Sequence, residues 1–374
     1  MKGFAIVSKG MEEITAAEIE ELINSKPKCG ECSVTFEFDE FEKLCILSYK
    51  SQAAERYACL LGAFKSGKIL EELQKMAEKC IGKGLMKNVK KFKVECARTG
   101  KHDFRSVDIE SSLSKLLGKK IKLKDKGNEI IFLVHIVNDQ CRFGIDFSGF
   151  DMQKRNYKIF LHPNSLRGTI AYALAKLSGF RKDEILLEPF ARDGTVAIES
   201  ALYACNFPVN YYRKERLAFR NLEVGIDYDK FFEGMEKEIT KSKGKIFAYD
   251  YQFKFVDFSR KNAKMAGIDK EINFSRVELG WLDIKFREKS IDRIATNLPS
   301  SKSANLEGIY EEFFYQCEYI LKDEGRIAVI ARIPELALKY AGRHNFKAEK
   351  EVELFSGEQP FKIIIFKKDF SISR

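Results

Sequence analysis

The stretch LLEPFARDGT, residues 186–195, decides the fold of the second half of the chain. It joins a short apolar run to a polar turn that contains Gly194, and a helical pattern follows over residues 195–205. Beyond it, apolar runs of strand length alternate with helical segments. This alternation is typical of a parallel sheet with helices between its strands, so we predict an α/β domain from residue 185 onward.

The remaining elements of this half extend the same pattern. We predict strands at 185–189, 245–249, 272–277, 291–296 and 326–331 and a second helix at 255–266. Gly267 is a suitable end for that helix, because glycine adopts the left-handed conformation without steric cost. An antiparallel pair at 350–355 and 361–367 is expected to close the sheet.

The first half has a different pattern, in which short strands and helices are mixed. We predict, in chain order, a strand at 4–7, a helix at 12–23, strands at 33–38 and 43–48, and a helix at 52–64. A second group follows, with a strand at 91–96, a helix at 107–117 and strands at 129–137 and 140–146. Asn138-Asp139 is a hairpin signal between the last two strands, and the texture changes again at Ser148-Gly149.

Polar residues and a glycine follow the carboxyl ends of successive predicted strands. Gly194 allows a ligand to approach the backbone closely, and Thr195 is predicted to cap the next helix. Asp250 ends the second strand, where a carboxylate can accept the hydrogen bonds of a ribose, and Glu278 follows the third strand, where it can meet an adenine amine. Either acid alone is more often structural, but their shared placement favours a nucleoside-containing cofactor.

The fourth strand of this half ends in IATNLPS, residues 294–300. The side-chain carbonyl of Asn297 and the backbone carbonyl of Leu298 can both accept hydrogens from an NH2 group, and Pro299 fixes the turn. Such a pair would hold the nitrogen lone pair toward a methyl donor, which is catalysis by orientation. The alternative interpretation is an Asn-Leu-Pro turn that only ends a strand.

A basic segment between residues 83 and 105 suggests a polyanionic partner. Its eight cations, against two acids and interleaved with aromatic rings, are Lys83, Lys87, Lys90, Lys91, Lys93, Arg98, Lys101 and Arg105. This composition fits a surface that contacts RNA phosphates, although such a run is often only a solvated face. Lys154, Arg155 and Arg167 form a second cluster near the boundary between the halves, where a bound RNA could bridge them, and Lys154 and Arg155 are predicted to contact it.

Bulk properties set broader limits. The 374 residues favour two domains, and 65 Lys and Arg against 55 Asp and Glu give a net charge of +10. This excess suits nucleic acid, or it reflects a Lys-rich and Glu-rich genome. Cys29 and Cys32 lack the two further ligands of a zinc site, so no metal is expected. With no signal peptide and no long apolar run, we expect a reduced cytoplasmic protein, without a membrane partner and monomeric.

Three further segments resemble motifs of the THUMP-domain RNA methyltransferases, the group that makes N2-methylguanosine in tRNA. Residues 91–102 resemble the THUMP signature strand and its R-x-G-K-H loop, and residues 148–157 resemble the passage S-G-x-x-L-x-K-R-x-Y into the catalytic domain. HPNSLR, residues 162–167, resembles H-P-A-P-L-R, which in that family lies beside the S-adenosylmethionine pocket. The segments occur in family order with family spacing, and the resemblance covers nearly the whole chain.

The resemblance implies a Rossmann-fold methyltransferase domain preceded by α+β ferredoxin-like and THUMP domains. We therefore expect a ferredoxin-like domain at 1–65, a THUMP RNA-binding domain at 66–150, a linker with one helix at 151–184 and the methyltransferase domain at 185–374. The implied partner is tRNA or another structured RNA, methylated at guanine N2, with position 6 as the first choice. The residues implied to bind the cofactor S-adenosylmethionine are His162, Leu166, Glu188, Phe190, Gly194, Thr195, Asp250 and Glu278.

The catalytic motifs differ from the family at defined positions. The family loop D-P-F-C-G-S-G-T corresponds to residues 188–195, and Arg192 stands where that loop has its first glycine. In the fourth-strand motif N/D-x-P-Y/F-G, Ser300 replaces the aromatic residue that stacks on the flipped base, and Ser301 replaces the glycine. The first hypothesis is an active RNA methyltransferase. The second, which Arg192 and Ser300 motivate, is a non-catalytic RNA-binding protein with a degenerate methyltransferase domain.

Overall fold

A computed structural model of the protein describes residues 1–81, 84–86, 91–121, 129–300, 305–356 and 359–371. The chain divides into two units. The first comprises Met1–Met152 and Arg213–Met235, and the second comprises Gln153–Tyr212 and Glu236–Arg374. Residues 213–235, which lie inside the segment predicted as one methyltransferase domain, thus belong to the first unit. No helix in the described ranges is long and apolar enough to cross a bilayer.

The first unit contains an α+β arrangement built on one sheet. Its strands are β1 (Lys2–Ile6), β2 (Lys28–Gly30), β3 (Ser33–Glu37), β4 (Arg56–Lys65), β5 (Lys91–Thr99), β6 (Glu129–Val137) and β7 (Gln140–Asp146). Its helices are α1 (Glu12–Ile23), α2 (Phe41–Lys50), α3 (Ile69–Cys80), α4 (Ser106–Lys120) and α7 (Tyr228–Lys237). The strand order is β2-β3-β1-β4-β7-β6-β5, so β4 joins the segments predicted as domains 1–65 and 66–150.

Two elements of the first unit were predicted wrongly. Residues 43–48, predicted as a strand, lie in helix α2, and residues 56–64 of the predicted helix 52–64 lie in strand β4. Strand β4 pairs with both β1 and β7, so it is an interior strand of the sheet. Short apolar runs of this kind fit either element until their pairing partners are known.

The second unit is an open α/β sheet, as predicted. Its strands are β8 (Leu186–Glu188), β9 (Ile246–Asp250), β10 (Ile272–Arg276), β11 (Ile291–Asn297), β12 (Leu321–Ala331), β13 (Phe346–Ser356) and β14 (Gln359–Lys368). Its helices are α5 (Gly168–Leu177), α6 (Thr195–Ala204), α8 (Phe253–Ala266), α9 (Leu282–Lys285), α10 (Leu306–Ile320) and α11 (Pro334–Arg343). The predicted fold class is confirmed.

Strand pairing explains where a ligand can bind in this unit. The order is β10-β9-β8-β11-β12-β14-β13, in which β8 to β12 are parallel and β13 and β14 form the expected antiparallel closing pair. Parallel strands bring their carboxyl ends to one edge, and sheets of this kind bind ligands there. The edge is formed by the residues that follow Glu188, Asp250, Arg276 and Asn297.

Gly144 gives a direct test of the sheet in the first unit. A Cβ at this position of β7 would lie 2.4 Å from the carbonyl oxygen of Cys59 and 2.8 Å from the ring of Phe4. We expect Gly144→Ala to lower the free energy of unfolding by about 1–3 kcal/mol, because the contact is with backbone and cannot relax cheaply. Urea denaturation measures the change.

Gly118 is the matched control, since nothing lies within 4 Å of a Cβ at that position of α4. Gly118→Ala should leave stability unchanged or raise it by up to about 1 kcal/mol, because alanine is the better helix former. A Gly144→Ala protein as stable as the wild type would contradict the close β4–β7 packing described above.

Candidate active site

The loop after β8 is held to the end of β9 by backbone hydrogen bonds. The Ala191 N–H donates to the Tyr249 carbonyl oxygen at 2.8 Å. The Arg192 N–H donates to Oδ2 of Asp250 at 3.0 Å, and the Gln252 N–H donates to Oδ1 of Asp250 at 2.9 Å. The Asp250 carboxylate, which is buried, therefore aligns two neighbouring loops at the ligand-binding edge. Burial raises its pKa above the ordinary value, and the two N–H donors partly offset that shift.

Glu188 lies at the end of β8 and is buried. Its Oε2 accepts the Ala197 N–H at 2.9 Å, which satisfies a free amide in the first turn of α6. Burial raises the pKa of this carboxyl group well above its usual range. Its other oxygen has no hydrogen-bond donor within the described residues and remains available to a ligand.

Gly194 and Thr195 have roles that differ from the sequence interpretation. Gly194 has a φ of 76°, and a Cβ there would lie 2.8 Å from Cβ of Ser259 on α8, so a close helix contact requires the glycine. Gly194 also occupies the N-cap position of α6, which was assigned to Thr195. Thr195 is the first helical residue, and its hydroxyl donates to Oδ1 of Asp193 at 2.7 Å.

Lys158, which the sequence interpretation missed, connects this loop to the HPNSLR segment. Its ammonium donates to the Thr195 hydroxyl at 2.9 Å, to the Ser165 hydroxyl at 2.6 Å and to the carbonyl oxygen of Leu166. The Ser165 hydroxyl in turn donates to the Asp193 carboxylate. Burial lowers the pKa of Lys158, and the nearby Asp193 carboxylate works against that shift. No sequence spacing indicated this residue.

In the HPNSLR segment, His162 contacts both Phe255 and the backbone of Asn164. The His162 ring lies edge-on to Phe255, with centroids 4.5 Å apart, and its Nδ1 accepts the Asn164 N–H at 2.9 Å. Burial lowers the pKa of His162, with a further contribution from the positive charge of Arg192. The imidazole is therefore neutral at pH 7, with Nδ1 as an acceptor.

Asn297 ends β11 and is buried. Its Nδ2 donates to the carbonyl oxygen of Asn164 at 3.4 Å, which orients the amide, and no described residue donates to its Oδ1. The Leu298 N–H donates to Ile330 at 3.1 Å, whereas its own carbonyl oxygen receives no hydrogen bond from the described residues. The Pro299 carbonyl oxygen accepts the Tyr310 hydroxyl at 3.1 Å, which anchors the turn.

The remaining predicted site residues lie at the rim of this edge. Phe190 is half-buried and packs against Phe313, with centroids 5.9 Å apart. Glu278 is exposed after β10, and its carbonyl oxygen accepts the Trp281 N–H at 3.0 Å. Ser300 is half-buried, and the substitution noted at Ser301 lies outside the described residues.

The predicted RNA-binding cations of the first unit that the structure describes are exposed, and Arg98, Lys101 and Arg105 lie at or beside the loop between β5 and α4. His102 holds this loop, because its Nε2–H donates to the Asn138 carbonyl oxygen at 2.7 Å while its Nδ1 lies 3.3 Å from the Arg98 guanidinium. Arg105 pairs with Asp108 at 3.1 Å, with 80% of its side chain exposed. Lys91 and Lys101 are also exposed, whereas Lys83, Lys87 and Lys90 lie outside the described residues.

Arg155 does not belong with these cations. Its side chain is 1% exposed, and it forms a paired contact with Glu199 through Nε at 2.7 Å and a terminal nitrogen at 3.0 Å. The Tyr157 hydroxyl donates to the same carboxylate at 2.6 Å. The prediction that Arg155 contacts RNA is therefore wrong, since the charge is buried and neutralised. Lys154 beside it is exposed.

Two buried carboxyl groups and an oriented amide at the carboxyl edge of a parallel sheet are typical of the Rossmann-type α/β class of nucleoside-binding enzymes. The chain belongs to the UPF0020 family of RMKL-like methyltransferase domains, which matches residues 155–359. A THUMP domain matches residues 68–146. The protein is thus a methyltransferase with S-adenosylmethionine as cofactor, and the non-catalytic alternative receives no support.

Curated relatives cover the chain almost completely. A tRNA (guanine(6)-N2)-methyltransferase of Methanocaldococcus jannaschii is 28% identical over 96% of this chain and 97% of its own length. A protein of the same name from Archaeoglobus fulgidus is 24% identical over 87% and 82%. The solved structure of SMU.472, complexed with SAH, has the same fold, with a TM-score of 0.81 at 19% identity over 100% of this chain and 99% of that one.

The donors and acceptors of the site fit this cofactor. Its ammonium and ribose hydroxyls are hydrogen-bond donors, and the edge supplies buried acceptors at Glu188 and Asp250. Among the described residues, no group of three or more His, Cys, Asp or Glu side chains is arranged to hold a metal ion.

The buried Arg155–Glu199 pair yields a stability prediction. Arg155→Ala removes the cation and leaves the Glu199 carboxylate buried beside a phenol, so we expect a loss of about 3–5 kcal/mol in the free energy of unfolding. Lys154→Ala, at the adjacent exposed position, should change it by less than about 0.5 kcal/mol. Equal stability of the two variants in thermal and urea unfolding would rule out the structural role assigned to Arg155.

Proposed function

We propose that this enzyme methylates the N2 amine of guanine in tRNA, with position 6 as its target nucleotide. The observation that carries the chemistry is the pair of unused acceptors at the end of β11, Oδ1 of Asn297 and the carbonyl oxygen of Leu298. The choice of RNA and of nucleotide rests on the two archaeal relatives named for guanine 6, which match nearly the full length of the chain.

Two adjacent acceptors select an amine over a carbonyl. An NH2 group donates two hydrogen bonds, one to each acceptor, whereas a base carbonyl would face two oxygens without a proton between them. The bond from Asn297 Nδ2 to Asn164 keeps the amide oxygen facing the ligand, because reversing the amide would break that bond. The site therefore holds the amine in one orientation.

Orientation of the amine determines the direction of its lone pair. With both hydrogens held by Asn297 and Leu298, the nitrogen lone pair projects away from these two acceptors, where a methyl donor would have to lie. S-adenosylmethionine supplies the methyl group there when bound. The new C–N bond forms as the donor S–C bond breaks, S-adenosylhomocysteine is left, and the amine proton passes to solvent. This chemistry requires positioning more than a strong base.

The THUMP-containing unit would supply the RNA-binding surface. The cations proposed to contact phosphates are Lys91, Arg98, Lys101, Arg105 and, in the second unit, Lys154. The hydrogen bonds of His102 to Asn138 and Arg98 fix the R-x-G-K-H loop in place, so the cations of this loop are presented at a defined position. Such contacts supply affinity and position without reading sequence.

The activity is tested with an unmodified tRNA transcript that carries guanine at position 6. We expect purified protein and S-adenosylmethionine to form N2-methylguanosine, identified by mass spectrometry of nucleosides, and a transcript with adenine at position 6 to remain unmethylated. Asn297→Ala should lower kcat by about 100-fold, because the amine is no longer oriented, with binding of S-adenosylhomocysteine changed by less than about threefold.

Asn273→Ala, at an exposed position of β10, is the control and should retain full activity. Methylation at another nucleotide would overturn the proposed target. Full activity of Asn297→Ala on the wild-type transcript would overturn the role of the amide while leaving the target intact.

The RNA surface is tested by salt dependence. Arg98→Ala with Lys101→Ala should weaken tRNA binding and reduce the slope of log K against log salt concentration by roughly 1–2, since about 0.9 is lost per phosphate contact. Lys230→Ala, on α7 of the same unit with 83% of its side chain exposed, should alter neither quantity. An unchanged slope in the double variant would place the RNA elsewhere.

A further inference from the structure

Arg192 is held in an unusual backbone conformation at the centre of the site. Its φ of 54° lies in the left-handed region, which is uncommon for a residue with a Cβ. Its N–H donates to Asp250 at 3.0 Å, and its carbonyl oxygen accepts the Ser259 hydroxyl at 3.1 Å. The backbone is therefore fixed on both sides of the peptide, and the direction in which the side chain leaves it is fixed as well.

Arg192 is buried, with 9% of the residue exposed. Its guanidinium has no hydrogen bond or ion pair with any residue in the described part of the chain. Its nitrogens nevertheless retain some contact with solvent. A desolvated cation without a contacting partner is costly, which makes this position stand out in an otherwise well-bonded loop.

Nearby acids do not neutralise this cation by contact. Burial lowers the pKa of Arg192, and the charges of Glu188, Asp250 and Asp193 offset only part of that shift. Asp250 has one backbone N–H on each oxygen, and Asp193 accepts the hydroxyls of Thr195 and Ser165. Glu188 accepts the Ala197 N–H and makes no hydrogen bond or ion pair with the guanidinium in the described part of the chain. The guanidinium is thus available to an anionic ligand.

We propose that Arg192 binds the α-carboxylate at the amino-acid end of the cofactor. This inference rests on the proposed function. S-adenosylmethionine has a cationic sulfonium, a cationic ammonium and a neutral nucleoside, so the carboxylate is its only anionic group. A planar guanidinium can hold a carboxylate through two parallel hydrogen bonds, which adds directional specificity to the charge attraction. The arginine would then replace, with a side chain, the backbone contact that a glycine at this position permits.

The test compares two ligands that differ only in the carboxylate. Binding of S-adenosylhomocysteine and of its decarboxylated analogue, which keeps the amine and the adenosine, is measured by isothermal titration to wild type, Arg192→Gln and Arg192→Lys. We expect Arg192→Gln to weaken S-adenosylhomocysteine by about 10- to 100-fold and the decarboxylated analogue by less than about threefold. Arg192→Lys should retain an intermediate preference for the carboxylate.

Other results would overturn the inference. Equal or tighter binding of S-adenosylhomocysteine by Arg192→Gln would show that the arginine only crowds the pocket, and equal weakening of both ligands would show a general effect on the loop. Weakening of tRNA binding alone would assign the guanidinium to an RNA phosphate. Each of these leaves the proposed function standing, whereas a wild-type protein that binds neither ligand would overturn the cofactor assignment and this inference together.

Discussion

The Asp250 carboxylate is the group on which the geometry of the second unit depends. It accepts the N–H of Arg192 at 3.0 Å and that of Gln252 at 2.9 Å, so one buried side chain aligns the loops that follow β8 and β9. Without it, two amides would lose their partners in a desolvated site, at about 1–3 kcal/mol each. The left-handed turn at Arg192, the contact of Gly194 with α8 and the start of α6 all follow from this alignment.

The parallel sheet could be predicted because most of its strands contain an apolar run and are separated by clear helix signals, such as Gly267 after α8. Residues 43–64 could not, since α2 and β4 have apolar runs that fit either element. What decides between them is the pairing of β4 with β1 and β7, and β7 lies about 80 residues further along the chain. Local sequence contains no information about that partner.

The residues of the site also differ in whether local sequence could place them. Asp250 and Asn297 could be placed from sequence, because a parallel sheet fixes where strand ends meet. Lys158 could not, since its contact with Thr195 joins segments 37 residues apart through side chains alone. Arg155 shows the opposite error: a charge in a basic cluster was predicted to be exposed, yet its partner Glu199 lies 44 residues away on α6 and buries it. Charge counts predict a surface only when no buried counter-charge exists.

The departures from the family loop motif are coupled rather than independent. Where the motif has glycine followed by serine, this chain has Arg192 and Asp193, so the net charge of the loop is unchanged while a directional donor is gained. Asp193 needs partners in a buried setting, and Ser165, at the position of a proline in H-P-A-P-L-R, donates to it while Lys158 lies 3.7 Å away. Replacing Asp193 alone with the serine of the family motif would therefore leave the Lys158 cation without its nearby carboxylate. An uncompensated charge in a low-dielectric site strongly destabilises the fold. The charged residues of this loop therefore act together. The nearby acids reduce the cost of burying the Arg192 cation, and its guanidinium, which has no contacting partner among the described residues, can bind an anionic ligand.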